Sequence, residues 1–178
     1  MHNDIEKVLF TKEDIENKVR ELGAKITEDY IDKNLLCIVI LKGAMFFASD
    51  LMKSIDLPLD IDFMIVSSYG SETESSGVIS IIKDTELDVI DRDVLIIEDI
   101  IDTGNTLNKL TQVMKDRKAS SVEIATFLDK KERRLVDLYI KYSGFVVPDY
   151  FVVGYGMDFN EKYRNLPYIG YLKKELYS

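Results

Sequence analysis

The sequence predicts a single α/β domain, over residues 1–178, in which helices flank a mainly parallel sheet. Apolar runs of strand length, at residues 35–41, 61–66, 94–97 and 122–128, alternate with stretches whose apolar residues recur at helical spacing. The apolar character of these runs is typical of parallel strands buried on both faces. A chain of 178 residues lies in the size range of one domain and can bury a full core.

Composition indicates a globular protein and excludes several classes of function. Apolar residues make up 46% of the chain and charged residues 31%. The net charge of −9 argues against a general nucleic-acid-binding surface, because such surfaces carry basic patches. No apolar run approaches the ~20 residues of a membrane span, and the N-terminus lacks a signal-peptide pattern. We therefore expect neither nucleic acid nor a membrane among its partners.

The single cysteine and the single histidine limit the chemistry further. Cys37 lies inside an apolar run and is expected to be a small core residue. One cysteine cannot form a disulfide within the chain, which fits a reducing cytoplasm. His2 stands at the extreme N-terminus, which nearly excludes His-based catalysis and His-rich metal sites.

The first third of the chain predicts an edge element, a helix, a strand and a second helix. Residues 2–10 are short and partly apolar, as in a loop or an edge strand. Thr11 is suited to cap a helix over roughly 12–29, whose acidic first turn precedes apolar residues at helical spacing. The strand at 35–41 ends in a Lys42-Gly43 turn, which by itself would be interpreted as structural.

Two segments with many polar residues follow the strand at 61–66. Residues 67–77 place two glycines among small polar and acidic residues, which predicts a mobile loop. Residues 78–82 and 87–90 flank a polar connection and predict a hairpin. Beyond the strand at 122–128, the pattern predicts a strand that ends before Pro148, a short apolar run at 151–156 and a last strand at 168–172.

The stretch from 94 to 107 carries the strongest functional signal. An apolar run stops at Glu98 and Asp99, a third acid follows at Asp102, and helical spacing begins beyond Gly104. Backbone N–H groups of such a loop and the dipole of the helix suit a phosphate, and the acids suit sugar hydroxyls or a divalent metal. The alternative is ordinary, since acids often end strands and Asp or Thr often caps a helix. The coincidence of these features with Thr106 favours a phosphosugar site.

Residues 98–106 resemble the 5-phosphoribosyl 1-diphosphate (PRPP) signature of type I phosphoribosyltransferases. Nearly the whole chain resembles the hypoxanthine-guanine branch of that family, in its bacterial form. The resemblance implies helices around a mainly parallel sheet, a hood built from the N-terminal segment and about 148–178, and a lid at about 67–77. It is carried by Leu41-Lys42-Gly43, Ser67-Ser68-Tyr69-Gly70, Leu128-Asp129-Lys130, Pro148 to Gly156 and Asp158 to Arg164.

The resemblance implies an activity, a cofactor and an assembly. The reaction moves ribose 5-phosphate from PRPP to hypoxanthine or guanine and gives IMP or GMP plus pyrophosphate, with Mg²⁺ as the cofactor. Members of the family form dimers or tetramers, so a homo-oligomer is expected. The sequence does not fix the preference among hypoxanthine, guanine and xanthine.

The resemblance also assigns roles on the PRPP side of the site. Residues Asp102, Thr103, Gly104, Asn105 and Thr106 form the 5′-phosphate loop, within which Asn105 receives no chemistry of its own. Glu98 and Asp99 lie near the ribose hydroxyls and help to position Mg²⁺, directly or through water. Backbone amides at Lys42 and Gly43 bind pyrophosphate, next to a cis peptide at Leu41-Lys42. Arg164 neutralises pyrophosphate, and Ser68 and Tyr69 form the tip of the lid.

On the purine side, the resemblance makes Asp102 the general base near N7, although an electrostatic partner or a helix cap is also compatible with this acid. Lys130 donates to O6, Phe151 stacks on the base, the Val152 backbone reads the edge of the base, and Asp158 is a second acid at the metal. Taken singly, these would be interpreted as a surface lysine, two core residues and a loop acid, and Arg164 as a solvated charge.

A second hypothesis is a regulator that senses PRPP and binds RNA, as the related pyrimidine-operon attenuation protein does. Those relatives usually carry an aromatic residue at the position of Asp102. The acidic composition and the lack of a basic stripe also count against this hypothesis.

Overall fold

The computed structural model describes residues 3–68 and 79–177. No helix among these residues is long and apolar enough to cross a membrane. The α-helices are α1 (Lys12–Asp29), α2 (Met45–Lys53) and α3 (Asn105–Asp116). The strands are β1 (Ile5–Phe10), β2 (Leu35–Leu41), β3 (Asp60–Ser68), β4 (Ile79–Lys83), β5 (Asp93–Ile101), β6 (Ser121–Asp129), β7 (Tyr142–Val146), β8 (Val152–Val153) and β9 (Ile169–Leu172).

The larger sheet has the strand order β4-β3-β2-β5-β6-β7. All neighbouring pairs are parallel except β3 with β4, which confirms the predicted mainly parallel sheet with flanking helices. Alternate residues of β2 enter different cores: Cys37 and Val39 pack with α1 and α2, whereas Ile38 and Ile40 pack with α3. Cys37 is buried, as expected, and burial raises the pKa of its thiol to about 12.

The predicted N-terminal helix is confirmed together with its cap. The Thr11 hydroxyl accepts a hydrogen bond from the Asp14 amide at 3.2 Å, and the Asp14 carboxylate accepts one from the Thr11 amide at 2.9 Å. This reciprocal pair satisfies donors at the helix end and fixes where α1 begins. Buried Ile15, Val19 and Ile26 then direct one face of α1 into the core.

A smaller antiparallel sheet, in the order β1-β9-β8, joins the two ends of the chain. Ile5 pairs with Leu172 and Val153 pairs with Gly170, so the predicted edge strand and the last strand meet here. Ile5, Val153 and Leu172 form the buried centre of this sheet. The segments predicted to build the hood are therefore hydrogen-bonded to each other.

The predicted hairpin of 78–82 with 87–90 is wrong. β4 instead pairs antiparallel with β3, with Ser67 opposite Ser80, and residues 87–90 form no strand. The reason is Asp62, a buried acid whose Oδ2 accepts the backbone N–H groups of Glu86 and Leu87 at 2.7 Å each. Because these two amides donate to the Asp62 carboxylate, they are not available for backbone pairing with β4. Most of the predicted lid, Tyr69 included, lies outside the described residues.

Asp62→Ala should lower the free energy of unfolding by about 2 kcal/mol, because it removes the buried acceptor of the Glu86 and Leu87 amides. Urea unfolding followed by circular dichroism measures the change. Asp88→Ala is the matched control, since this exposed acid of the same segment accepts a single hydrogen bond from the Ile90 amide. Its effect should stay within about 0.5 kcal/mol. Equal losses in both variants would contradict the role assigned to Asp62.

Candidate active site

The carboxyl ends of three parallel strands meet at one edge of the larger sheet. β5 lies between β2 and β6, with Ile97 opposite both Val39 and Ala125. The turn after β2, the acids at the end of β5 and the segment after β6 are therefore neighbours in space. Open α/β sheets place their ligands outside the carboxyl ends of such strands.

The start of α3 is built for an anion. Gly104 is the N-cap residue, with φ at +83°, and a Cβ there would lie 2.9 Å from Cδ of Arg134. Gly104 has no side chain that could cap the helix, and the Asn105 amide donates only a long 3.4 Å hydrogen bond to Oγ1 of Thr103, so the start of α3 can still bind a phosphate. The helix-cap interpretation of Asp102 is wrong, since Gly104 holds that position. Thr103 precedes Gly104 in the loop, and Asn105 and Thr106 are the first two residues of α3.

Glu98 and Asp99 place two adjacent carboxylates, both half-buried, at the end of β5. Burial, and then the neighbouring charge of Asp99, raises the pKa of Glu98 well above its usual value, and burial raises the pKa of Asp99 as well. The Ile100 amide donates to Asp99 Oδ1 at 2.8 Å and fixes that carboxylate. Both acids favour a positively charged or hydroxyl-bearing ligand.

Three segments are in close contact beside Asp99. A Cβ on Gly43 would clash with Oδ2 of Asp99, and a Cβ on Gly156 would clash with the carbonyl oxygen of Gly43. Leu41-Lys42 is a cis peptide bond, as the resemblance implied. Because Gly43 has no side chain, the turn after β2 presents bare backbone to the site, which is what close approach to an anion requires.

A cleft of about 190 Å³ opens beside these segments. It brings together six of the predicted site residues, and Ile100 and Met157 complete its lining. The predicted residues are Asp99, Asp102, Lys130, Phe151, Val152 and Asp158. The cleft joins acids from β5 to a cation from the end of β6 and to an aromatic ring from the C-terminal part of the chain.

Lys130 is buried to 8% exposure, so the interpretation as a surface lysine is wrong. Its Nζ lies 3.5 Å from Oδ1 of Asp102 and 3.3 Å from Oδ1 of Asp149. A buried ammonium between two carboxylates is compensated in charge and still carries three N–H donors. The sequence interpretation missed Asp149, whose proximity to Lys130 appears only when β6 and β7 pair.

Phe151 and Val152 differ in exposure. Val152 is a buried residue of β8, whereas Phe151 remains 37% exposed. The Phe151 ring meets Phe159 edge-on, with centroids 5.3 Å apart, and lies 5.2 Å from the ring of Tyr177. Phe151 is thus held by aromatic neighbours and stays open enough to stack on a flat ligand.

Arg164 is not the solvated charge that its sequence position suggested. Its guanidinium donates to the Gly156 carbonyl at 2.7 Å and lies 2.8 Å from Oδ1 of Asp158 and 3.5 Å from Oε1 of Glu161. Its Nε is buried without a hydrogen-bond partner. Glu161 also pairs with Lys42 at 3.1 Å, so this acid, which sequence interpretation missed, links Lys42 to Arg164, two of the predicted pyrophosphate-binding residues.

The predicted metal acids do not form a closed cage. Within the residues that the structure describes, no group of three or more Asp, Glu, His or Cys side chains is arranged to hold a metal ion. Asp158 is engaged by Arg164 and by the Glu161 amide, at 2.8 and 2.9 Å, and shares the lining of the cleft with Asp99. A metal ion here would need oxygen ligands from a bound substrate, as Mg²⁺ commonly takes.

The chain is similar in sequence to known phosphoribosyltransferases over its full length. A family model described as a phosphoribosyl transferase domain matches residues 8–160. The chain is 56% identical over 178 residues to a hypoxanthine-guanine phosphoribosyltransferase of Staphylococcus aureus, covering 100% of this chain and 99% of the relative. The corresponding protein of Staphylococcus epidermidis is 55% identical with the same coverage.

Solved structures of such enzymes have the same fold as this chain. A hypoxanthine phosphoribosyltransferase from Staphylococcus aureus has a TM-score of 0.97 at 56% identity and covers 100% of this chain and 97% of its own. The hypoxanthine phosphoribosyl transferase of Trypanosoma cruzi has a TM-score of 0.95 at 35% identity, with 99% and 96% coverage. Because these matches extend over sequence and fold alike, the chain belongs to the phosphoribosyltransferase family, in its hypoxanthine-guanine branch.

Proposed function

We propose that this protein transfers the 5-phosphoribosyl group of PRPP to hypoxanthine or guanine, giving IMP or GMP and pyrophosphate in purine salvage. The observation that carries the proposal is the cleft in which the buried Lys130 and the more exposed Asp102 and Phe151 lie beside the phosphate loop. Such a cleft offers a donor, an acid–base group and an aromatic face to one flat ligand. Family membership and the relatives named above support the same reaction.

The PRPP half of the site is proposed to work through amides, acids and one guanidinium. The amides of Thr103 to Thr106 hold the 5′-phosphate at the start of α3. Glu98 and Asp99 accept hydrogen bonds from the ribose hydroxyls. The Lys42-Gly43 backbone and Arg164 hold pyrophosphate, and the unpartnered Nε of Arg164 supports this role because a phosphate oxygen would satisfy it.

The purine half is proposed to recognise a 6-oxo group. Lys130 is a donor without acceptor capacity, so it favours the oxygen of hypoxanthine or guanine over the amino group of adenine. Phe151 stacks on the base, and the Val152 backbone reads its edge. The open face of Phe151 and the compensated burial of Lys130 support these assignments.

The proposed chemistry exchanges one bond at the ribose C1′ for another. The bond to pyrophosphate breaks as purine N9 approaches, so positive charge grows on the sugar and negative charge grows on the leaving group. Asp102 takes the proton from purine N7, or stabilises the charge there. Glu98 and Asp99 stabilise the positive sugar, and Arg164 stabilises the leaving pyrophosphate.

We also propose Mg²⁺ as the cofactor, with Glu98 and Asp99 on the ribose side and Asp158 on the base side. These residues supply hard oxygen donors, and their open arrangement fits an ion that keeps substrate oxygens and waters as ligands. Bound Mg²⁺ would neutralise the charge that develops on pyrophosphate. The lid predicted at about 67–77 is proposed to exclude water from the reaction, with Ser68, which ends β3, at its base rather than at its tip, and with Tyr69 beyond it.

A homo-oligomer, dimer or tetramer, working in the cytoplasm completes the proposal. Ile61 and Phe63 lie on the same face of β3, and both remain exposed at 44% and 40%. Large apolar side chains beside each other on an open strand face support an interface with a second copy. Light scattering on the 20.5 kDa chain should give two or four times that mass, and a monomer would contradict the assembly.

The central test is turnover. With Mg²⁺ and PRPP, the purified protein should convert hypoxanthine to IMP and guanine to GMP, and should leave adenine unreacted, as followed by chromatography of the nucleotides. Loss of turnover after chelation with EDTA, and its recovery on adding Mg²⁺, tests the cofactor. Salt-sensitive binding of a leader RNA with no transfer to either base would instead favour the regulator.

Asp102→Ala should lower kcat by about 10²–10⁴-fold and change the Kd for PRPP by no more than about threefold, because proton transfer is lost while the phosphate loop remains. Steady-state kinetics and calorimetric PRPP binding separate the two effects. The matched control is Asp137→Ala, which removes an exposed acid outside the cleft. Equal losses in kcat and in PRPP affinity would argue against the base role of Asp102.

A further inference from the structure

The ammonium group of Lys130 lies between carboxylates from two different segments. Asp102 follows β5 and lies 3.5 Å from Nζ, while Asp149 follows β7 and lies 3.3 Å from it. The Lys130 side chain is 9% exposed, whereas both acids are about half exposed. These three residues form a Lys130-Asp102-Asp149 triad. The proposed function assigns roles to Lys130 and Asp102 but none to Asp149.

Asp149 makes the firmer of the two contacts. Its Oδ1 accepts a hydrogen bond from Lys130 Nζ, whereas Asp102 is near enough for an ion pair only. The same Oδ1 accepts from Nη1 of Arg133 at 3.3 Å. The hydrogen bond from Lys130, followed by that from Arg133, lowers the pKa of Asp149, so this acid keeps its charge.

Backbone hydrogen bonds hold the triad in place. The Lys130 amide donates to the Ile101 carbonyl at 2.9 Å, which ties the lysine to the end of β5 just before Asp102. The Val147 amide donates to the Asp129 carbonyl at 3.1 Å, which ties the segment of Asp149 to the end of β6. Each acid therefore stands on a frame fixed to the main sheet.

The balance between the two carboxylates determines where the ammonium can direct its donors. Of the three N–H groups of Lys130, one bonds to Asp149 and one is attracted by Asp102, which leaves one for a ligand in the cleft. Without Asp149, the attraction of Asp102 would be unopposed, and the 3.5 Å gap would close toward the ~2.8 Å of a charge-assisted hydrogen bond. The lysine would then turn away from the ligand and would occupy the carboxylate proposed to receive the purine proton.

Resting on the proposed function, we propose that Asp149 is a positioning residue that holds Lys130 off Asp102 and directs its free N–H at the 6-oxo group of the purine. Asp149 touches neither substrate nor product in this role. It acts through Lys130 and makes the site selective for 6-oxopurines. Its removal should therefore affect ligands with a 6-oxo group and spare ligands that lack one.

Two nucleotides test the role by binding alone. IMP and purine riboside 5′-monophosphate share ribose and phosphate, but only IMP carries the 6-oxo group and the N1 proton. Asp149→Ala should raise the Kd for IMP by about tenfold and change the Kd for purine riboside 5′-monophosphate by no more than about twofold, as measured by calorimetry. Asp149→Asn keeps an oxygen acceptor for Lys130 without the charge and should fall between the wild type and Asp149→Ala.

A double-mutant cycle shows whether Asp149 acts through Lys130. Lys130→Met should itself lower the affinity for IMP, and adding Asp149→Ala to it should cause no further loss of IMP affinity. The matched control is Asp116→Ala, which removes a surface carboxylate that accepts a hydrogen bond from Gln112 on α3. That variant should bind both nucleotides within about twofold of the wild type, and thermal melts confirm that each variant is folded.

Different outcomes would contradict the role of Asp149 and the proposed transfer reaction. If the wild type transfers the 5-phosphoribosyl group to hypoxanthine but Asp149→Ala lowers the affinity for both nucleotides equally, Asp149 is structural. The positioning role is then wrong, while the proposed function stands. Full additivity of the losses from Lys130→Met and Asp149→Ala would overturn the positioning role as well. If the wild type shows no transfer, the proposed function itself falls.

Discussion

The parallel pairing of β5 with β2 and β6 is the constraint on which the site depends. Each of these strands is buried between helices mainly by apolar residues, and the acids of β5 and the last acid of β6 lie near the strand ends. The register then brings the turn at Gly43, the acids of β5 and Lys130 to the same edge. Hydrophobic burial thus decides the position of the charged groups, although no apolar side chain need take part in the chemistry.

A chain with a net charge of −9 that is proposed to bind PRPP, a highly anionic donor, needs local positive potential. The structure supplies it in three ways: the uncapped start of α3, the guanidinium of Arg164 and the buried ammonium of Lys130. Both side-chain cations contact acids, so burying them does not leave unpaired charge. Glu161 and Asp149 belong to this compensation, and an inventory of substrate-binding residues alone would omit them.

Much of the sheet could be predicted from the sequence, because β2, β5 and β6 are rich in apolar residues over a strand's length and α1 carries a complete capping pair. The phosphate loop was also recognisable, since its acids, Gly104 and the helix start are consecutive. The hairpin prediction failed because Asp62 captures the amides of Glu86 and Leu87 from a distant strand, which no local pattern reveals. Lys130 resembled a surface lysine for the same reason, as its partners come from other segments.

The contact of Gly43 with Asp99 and Gly156 has a consequence for engineering. Gly43 does not adopt a positive φ, so the requirement there is for space alone, while Gly156, at +103°, needs both space and a left-handed backbone. Neither glycine could be replaced to make room for a larger leaving group, because any side chain there would overlap atoms of the neighbouring segments. The room would have to come from shortening Asp99, at the expense of the carboxylate. In this corner of the molecule, residues without a functional group limit change as strictly as the charged ones.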